Sequence, residues 1–209
     1  MIKKLNRIEV EERLKSLGLT TFTPQEFKDI FEVAPGTASV FISHNLGAGG
    51  IFLKLRNNLY LVKDARVSEA FAANKIYEPS YISLQTALSH YHIIPETVYA
   101  TTSITTRTSR EFNTPKGIFI YQRIKKQAFT GYSLKLIDND KVLLAEPEKA
   151  LADYLYFVDL KQVSLNDRLE LRNIKKSTLI EFVKLFGRPS MFKLVNHIYA
   201  EYKKPRKIY

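Results

Sequence analysis

The chain has 209 residues, 45% apolar and 25% charged, a balance that suits two modest globular domains. It contains no cysteine, which excludes disulfides, thiolate metal sites and a cysteine nucleophile. Its formal net charge of +11 points to a polyanionic partner, most often nucleic acid.

That charge is uneven. Residues 1–78 carry 11 basic and 9 acidic groups and residues 79–209 carry 21 and 12, so the surplus lies mainly in the second part. Met1 to Arg7 holds two lysines with no apolar run behind it, unlike a signal peptide, and no stretch is long and apolar enough to span a membrane. A cytoplasmic protein is therefore expected.

Helical spacing opens the chain, with Ile2, Leu5, Ile8, Leu14 and Leu17 on or near one face and Gly18 ending it. Thr20 and Thr21 read as a link. Thr23-Pro24-Gln25-Glu26 is a capping-box start for a short helix to Phe31, with Phe27, Ile30 and Phe31 inward. Ala34-Pro35-Gly36-Thr37 interrupts it. A third helix follows on Ala38, Phe41, Ile42 and Leu46, and Gly47-Ala48-Gly49-Gly50 stops it. Residues 51–55 and 59–62 read as strands joined by Arg56-Asn57-Asn58. Three helices and a hairpin in about 60 residues is the winged helix-turn-helix plan.

Asp64 to Glu78 reads as a helical linker. Ser83 is placed to cap a helix from Leu84 to about His92. A β-rich block follows, with strands over 98–104, 117–125 and 129–137, a turn at Asp138-Asn139-Asp140, and a short strand at 142–144. A helix is expected from about Glu148 to Phe157, and further helices near 164–173, 176–186 and 189–203. The tail 203–207 reads as polar and frayed. The overall expectation is an α+β protein: a winged helix-turn-helix over 1–75, then an α+β domain over 79–209 with a small, mainly antiparallel sheet and C-terminal helices.

The second domain carries a recognisable pattern. Pro79-Ser80-Tyr81-Ile82-Ser83-Leu84-Gln85-Thr86-Ala87-Leu88 leads through Ile94-Pro95-Glu96 and the segment from Thr101 to Arg107 to Gly117 and Tyr121. Phe129-Thr130-Gly131 and Glu148-Lys149-Ala150-Leu151-Ala152-Asp153-Tyr154-Leu155 follow. Together these resemble the AbiEi antitoxins, transcriptional regulators of type IV toxin–antitoxin systems. The resemblance covers nearly the whole chain once the N-terminal winged helix is included. It implies a winged-helix domain joined to an antitoxin domain, and binding to inverted repeats of double-stranded DNA upstream of the chain's own operon. It also implies action against a nucleotidyltransferase toxin without a stable complex. No catalysis, cofactor or metal is expected, and the chain is expected to be a monomer or weak dimer.

Candidate DNA contacts follow from residue chemistry. The third helix offers Thr37, Ser39, Ser43 and His44, small polar groups able to meet phosphates or base edges, but it carries no lysine or arginine. Lys54 and Arg56 flank the hairpin turn, where a wing meets the phosphate backbone. Arg107, Arg110 and Arg123, with Lys116, Lys125 and Lys126, gather around the β block as a second basic surface for DNA or RNA. For each group the plain alternative is a solvated face. His90-Tyr91-His92 lacks the companions of a metal site. Asp138 and Asp140 lack the Gly-Ser element of a nucleotidyltransferase and read as a turn. Glu148 and Asp153 are expected at capping and exposed positions of their helix. The alternative function is an interaction protein that acts on a toxin or on tRNA through the basic second domain.

Overall fold

The structure, a computed structural model, describes residues 5–202, so the expectations for Ile2 and for the tail 203–207 lie outside the described residues. It is an α+β protein with eight α-helices among the described residues and two sheets, of three and six strands.

The first helix, α1 (Arg7–Ser16), is capped by the Asn6 side chain, which accepts from the Ile8 N–H. Val10 and Leu14, spaced i and i+4, are its buried pair, while Ile8 and Leu17 are exposed. The expected face was thus rotated by a residue or two. Thr21, read from sequence as part of a link with Thr20, forms the short strand β1 with Phe22. Helix α2 (Pro24–Phe31) has the expected capping box between Thr23 and Glu26. It ends at Glu32 in the left-handed conformation, and three residues on α3 (Pro35–His44) begins. Strands β2 (Phe52–Arg56) and β3 (Leu59–Val62) form an antiparallel hairpin, and β1 adds to the far side of β3, giving the order β1-β3-β2.

This first unit closes around aromatic rings. Phe27 lies within 6.1 Å of Phe22, Phe31, Phe41 and Phe52, centroid to centroid. Each buried ring contributes roughly 1.5–3 kcal/mol by area, so truncating Phe27 to alanine is expected to cost about 3–5 kcal/mol. Gly50 is fixed sterically: a Cβ there would sit 2.1 Å from the Asn45 carbonyl oxygen, which receives the Phe52 N–H. The return from α3 into β2 depends on that close approach.

Helix α4 (Glu69–Ile76) is capped by Ser68 and buries Ala72, Ala73, Asn74 and Ile76. It therefore packs as part of the second core rather than as a linker. Leu55, Leu59 and Leu61 of the hairpin share that core, so the two units are joined through apolar packing. Asn74 bonds both backbone groups of Leu143, holding α4 on the sheet.

The large sheet comprises β4 (Ser80–Ile82), β5 (Ala100–Thr105), β6 (Arg110–Thr114), β7 (Gly117–Arg123), β8 (Tyr132–Ile137) and β9 (Asp140–Ala145), in the order β6-β7-β5-β4-β9-β8. It is larger and more mixed than expected: β5–β7 and β4–β9 run parallel, the other three pairings antiparallel. The expected Asp138 turn is present, with Asp138 and Asn139 at positive φ, the left-handed pair that suits a two-residue hairpin loop. Helix α5 (Leu84–His90) follows β4.

Helix α6 (Pro147–Asp159) is buried on most sides and packs against α5, α7 (Lys176–Lys184) and α8 (Pro189–Tyr202). The helix expected at 164–173 does not form. The backbone of that segment bonds outward instead. Ser164 carbonyl and Asn166 N–H both meet the Tyr154 hydroxyl, and Glu170 N–H donates to the Ile93 carbonyl. Tertiary partners have replaced the i to i−4 ladder.

Candidate nucleic-acid interface

Helix α3 turns Ala38 and Ile42 into the first core, with Phe41 and Thr37 half-buried. Gly36, Ser39, Val40, Ser43 and His44 form the opposite, exposed face. Of the residues expected to read DNA, Ser39, Ser43 and His44 are therefore solvent-facing and Thr37 lies at the margin. Asn45 is occupied: its amide donates to the Phe41 carbonyl at 2.9 Å. The loop after α3 is pinned by two cations, Arg7 donating to the Gly49 carbonyl and Lys63 to the Ala48 carbonyl.

The basic residues gather elsewhere, around the end of α4. Arg56 is half-buried. Its Nε donates to the Ile76 carbonyl at 2.6 Å and its Nη1 to the Asn57 carbonyl at 2.8 Å. Arg107 lies over the Tyr77 ring with its guanidinium carbon 4.3 Å from the centroid, and donates to the Glu78 carbonyl at 3.0 Å. Arg110 approaches the same ring at 5.8 Å and Phe112 at 6.0 Å. Tyr77 is fixed in turn by Tyr121 and Phe112, with centroids 5.2 and 5.6 Å away, and by its hydroxyl bond to the Thr108 carbonyl. A cation over a tyrosine face is favoured by the ring quadrupole, and the guanidinium edge stays free for an anion.

Lys54, Arg56 and Arg110 line one cleft of about 410 Å³ between β2 and β6, together with Asn57, Glu111 and Asn113. Arg123 is the last residue of β7, its backbone N–H bonded to the Ser109 hydroxyl. None of Lys54, Arg107, Arg110 and Arg123 takes part in an ion pair among the described residues. By contrast, Lys135, Arg168, Lys184 and Arg188 are each neutralised by a carboxylate.

The nine expected contacts thus fall into two sets. Thr37, Ser39, Ser43 and His44 share α3. Lys54, Arg56 and Arg110 line the seam between the hairpin and the large sheet, Arg107 joins Arg110 over the Tyr77 ring, and Arg123 ends the neighbouring strand β7. The C-terminal end of α3 meets the start of β2 through the Leu46–Phe52 bridge, and the turn lies about 13 Å further along that strand, at roughly 3.3 Å per residue. Tyr77 was missed as an organiser. It follows a short helix and lies far in sequence from the arginines it holds, so no local spacing marks it.

The two segments that carry the family resemblance meet in a sealed cluster. Lys149 and Asp153, one turn apart on α6, form an ion pair in which both side chains are inaccessible to solvent. The Tyr81 and Ser83 hydroxyls donate to the other Asp153 oxygen at 2.9 and 2.8 Å. Asp153 is therefore not the exposed residue expected from the pattern of its helix, and Ser83 caps nothing with its side chain. Burial pulls the Lys149 ammonium down and pushes the Asp153 carboxyl up, each opposed by the partner's charge. Lys149 also lies 4.9 Å from the Phe186 ring centre. With no solvent access, this cluster holds β4 to α6. Glu148 accepts the Lys175 N–H at the start of α7.

Asp138 and Asp140 sit at the β8–β9 turn, where Asp140 accepts the Ser68 N–H. His90 and His92 are exposed, and among the described residues no three His, Asp or Glu side chains converge. No helix among the described residues is long and apolar enough to cross a membrane. No family model matches the chain, and no curated protein matches it.

Proposed function

We propose that the chain is a DNA-binding repressor of the antitoxin type, with residues 5–62 as a winged helix-turn-helix head. The observation that carries this reading is the arrangement α1-β1-α2-α3-β2-β3 with sheet order β1-β3-β2. Two helices joined by a three-residue turn, backed by a hairpin to which an early strand returns, is how a winged helix presents its second helix to the major groove. In this reading α3 enters the groove. The uncompensated cations Lys54, Arg107, Arg110 and Arg123 meet phosphates, and Arg56 braces the wing.

The AbiEi resemblance supplies the biological setting. The DNA is an inverted repeat upstream of the chain's own operon, the functional partner is a nucleotidyltransferase toxin held in no stable complex, and the compartment is the cytoplasm. The protein acts as a monomer or weak dimer and performs no catalysis. The test is fluorescence anisotropy of the full chain with the duplex upstream of its own gene, against a scrambled duplex of equal length. Tighter binding to the upstream duplex supports the reading, and equal binding to both removes it.

A second reading has its own support in the cations around Tyr77. They form a surface that could hold tRNA or an acidic face of a toxin without any operator. In that case tRNA or the toxin competes for Arg107, Arg110 and Arg123, and α3 substitutions have no effect.

A further inference from the structure

We infer that Val40 is the base-reading residue of α3 and that it reads the 5-methyl group of a thymine, so the preferred site is thymine-containing B-form DNA. The inference rests on the winged-helix reading of α3. It comes from elimination on one helix face. No lysine or arginine occurs between Lys28 and Lys54, so α3 has no bidentate partner for guanine. It has no glutamine, aspartate or glutamate either. Asn45, the one amide nearby, is half-buried at the C-cap with its NH2 group bonded to the Phe41 carbonyl, so it is not offered to an adenine from the exposed face. Ser39 and Ser43 are exposed, but a hydroxyl bonds donors and acceptors alike and discriminates weakly.

His44, the last residue of α3, stands at the margin of the exposed face, and Val40 stands near its centre. At 100° per residue, Gly36, Val40 and Ser43 lie within about 60° of one another. Ala38 and Ile42 lie opposite, in the core. Val40 is 56% exposed on a face whose other members are glycine, serine and histidine. Gly36, one turn before it, has open space where a Cβ would stand, so the backbone can come close to the groove floor there. A branched apolar side chain in that place has one complementary feature in the major groove, the thymine methyl.

The experiment uses the full chain and a randomised DNA duplex pool. Duplexes recovered by binding are remade with uracil in place of thymine, one position at a time. One thymine position in each site is expected to lose about four-fold in affinity as uracil, the worth of one buried methyl group. V40S, which puts a polar group in that place and should melt as the wild type does, is expected to bind the thymine and uracil duplexes equally. V40I, which keeps the apolar branch, is expected to retain the difference. Selective binding that is indifferent to uracil overturns the inference and leaves the repressor reading standing. A uracil effect that persists in V40S also overturns it, because another group then reads the methyl. Failure to enrich any sequence overturns the repressor reading itself, and the inference with it.

Discussion

Arg56 donates its Nε–H to the carbonyl of Ile76 at 2.6 Å, tying the hairpin turn to the last residue of α4. A carbonyl at a helix C-terminus lacks an intrahelical donor, and a guanidinium satisfies it while also complementing the negative end of the helix. From sequence, Lys54 and Arg56 form a matched pair of surface cations. The fold separates their roles, since Lys54 is exposed with no ion pair among the described residues and Arg56 is a half-buried brace.

Stability measurements should show this division. Arg56→Ala is expected to lower unfolding free energy by about 1–2 kcal/mol, the lower part of the range for hydrogen bonds from charged donors, because the site is partly exposed. Lys54→Ala is expected to shift it by no more than about 0.5 kcal/mol. Urea denaturation followed by circular dichroism reads both values. Equal effects would show that the Arg56 tie adds nothing to the fold.

The same packing bears on where the chain can be cut. A boundary at residue 75 falls inside α4, whose Ala72, Ala73 and Ile76 belong to the core of the large sheet together with Leu55 and Leu59. A fragment of residues 1–75 is therefore expected to expose a contiguous apolar face. It should bind a hydrophobic dye and melt with reduced cooperativity, whereas the full chain should do neither. A fragment that melts sharply and binds no dye would show that the first core suffices alone.

How much of this could be read from the residues depends on the range of the interactions. Local chemistry was legible. The capping box at Thr23 and Glu26, the turn at Asp138-Asn139 and the helices α2, α3, α6, α7 and α8 all follow from signals within a few residues. Elements defined by distant partners were not. β1 exists because Thr21 and Phe22 pair with Tyr60 and Leu61. β6, which opens on the charged pair Arg110-Glu111, becomes a strand because β7 pairs with it. Residues 164–173 have helical composition, but Tyr154 and Ile93 claim their backbone groups. Asp153 follows the same rule. A carboxylate on an amphipathic helix defaults to solvent, and only the fold reveals Lys149, Tyr81 and Ser83 around it. In the candidate interface, α3 was legible as an uncharged helix, while the convergence of Arg56, Arg107 and Arg110 on the end of α4 was not.

The buried pair on α6 should show strong coupling. Lys149→Met leaves the Asp153 carboxylate with only two hydroxyl donors in a site closed to water, and a cost of about 3–5 kcal/mol is expected. Asp153→Leu alone leaves the ammonium without a counter-charge and strips the Tyr81 and Ser83 hydroxyls of their acceptor. The double substitution is expected to cost clearly less than the two singles together, since it removes both charges. Chemical denaturation of the four proteins measures the coupling. Additive losses would show that the two charges do not depend on one another.

Asp159 gives a pH test. Burial disfavours its charge, but hydrogen bonds from Ser190 and Arg188 and the Arg188 charge outweigh that and hold its carboxyl below the ordinary value of 3.8. A carboxyl with a depressed folded value adds stability that is fully present above the unfolded value. That stability is lost as pH falls through the folded one. The melting temperature of Asp159→Asn should therefore lie below that of the wild type at pH 5 and above. The gap should narrow as pH falls below about 4. A gap that stays constant down to acid unfolding would mean that the Arg188 contact does not depend on the charge.

The last prediction separates the two candidate surfaces. Ser39, Val40 and Ser43 are exposed on α3, and Arg110 and Arg123 are exposed with no ion pair among the described residues. Arg107 is left intact because it is stacked on Tyr77 and bonded to the Glu78 carbonyl, so its loss would mix folding with binding. Replacing Ser39 and Ser43 with alanine and Val40 with serine should erode preference for the upstream duplex over a scrambled one by about 1–3 kcal/mol in all, at unchanged salt dependence. Replacing Arg110 and Arg123 with glutamine should weaken binding to both duplexes alike, and should flatten the dependence of log affinity on log salt by roughly one unit per lost phosphate contact. Both sets must first melt like the wild type, which their exposure leads one to expect. The combination matters more than either result. If the arginine changes act and the α3 changes do not, the seam binds backbone without α3 reading bases, which is the outcome the tRNA or toxin reading requires. If only the α3 changes act, the phosphates are held elsewhere, and Lys54 on the hairpin is the next cation to remove.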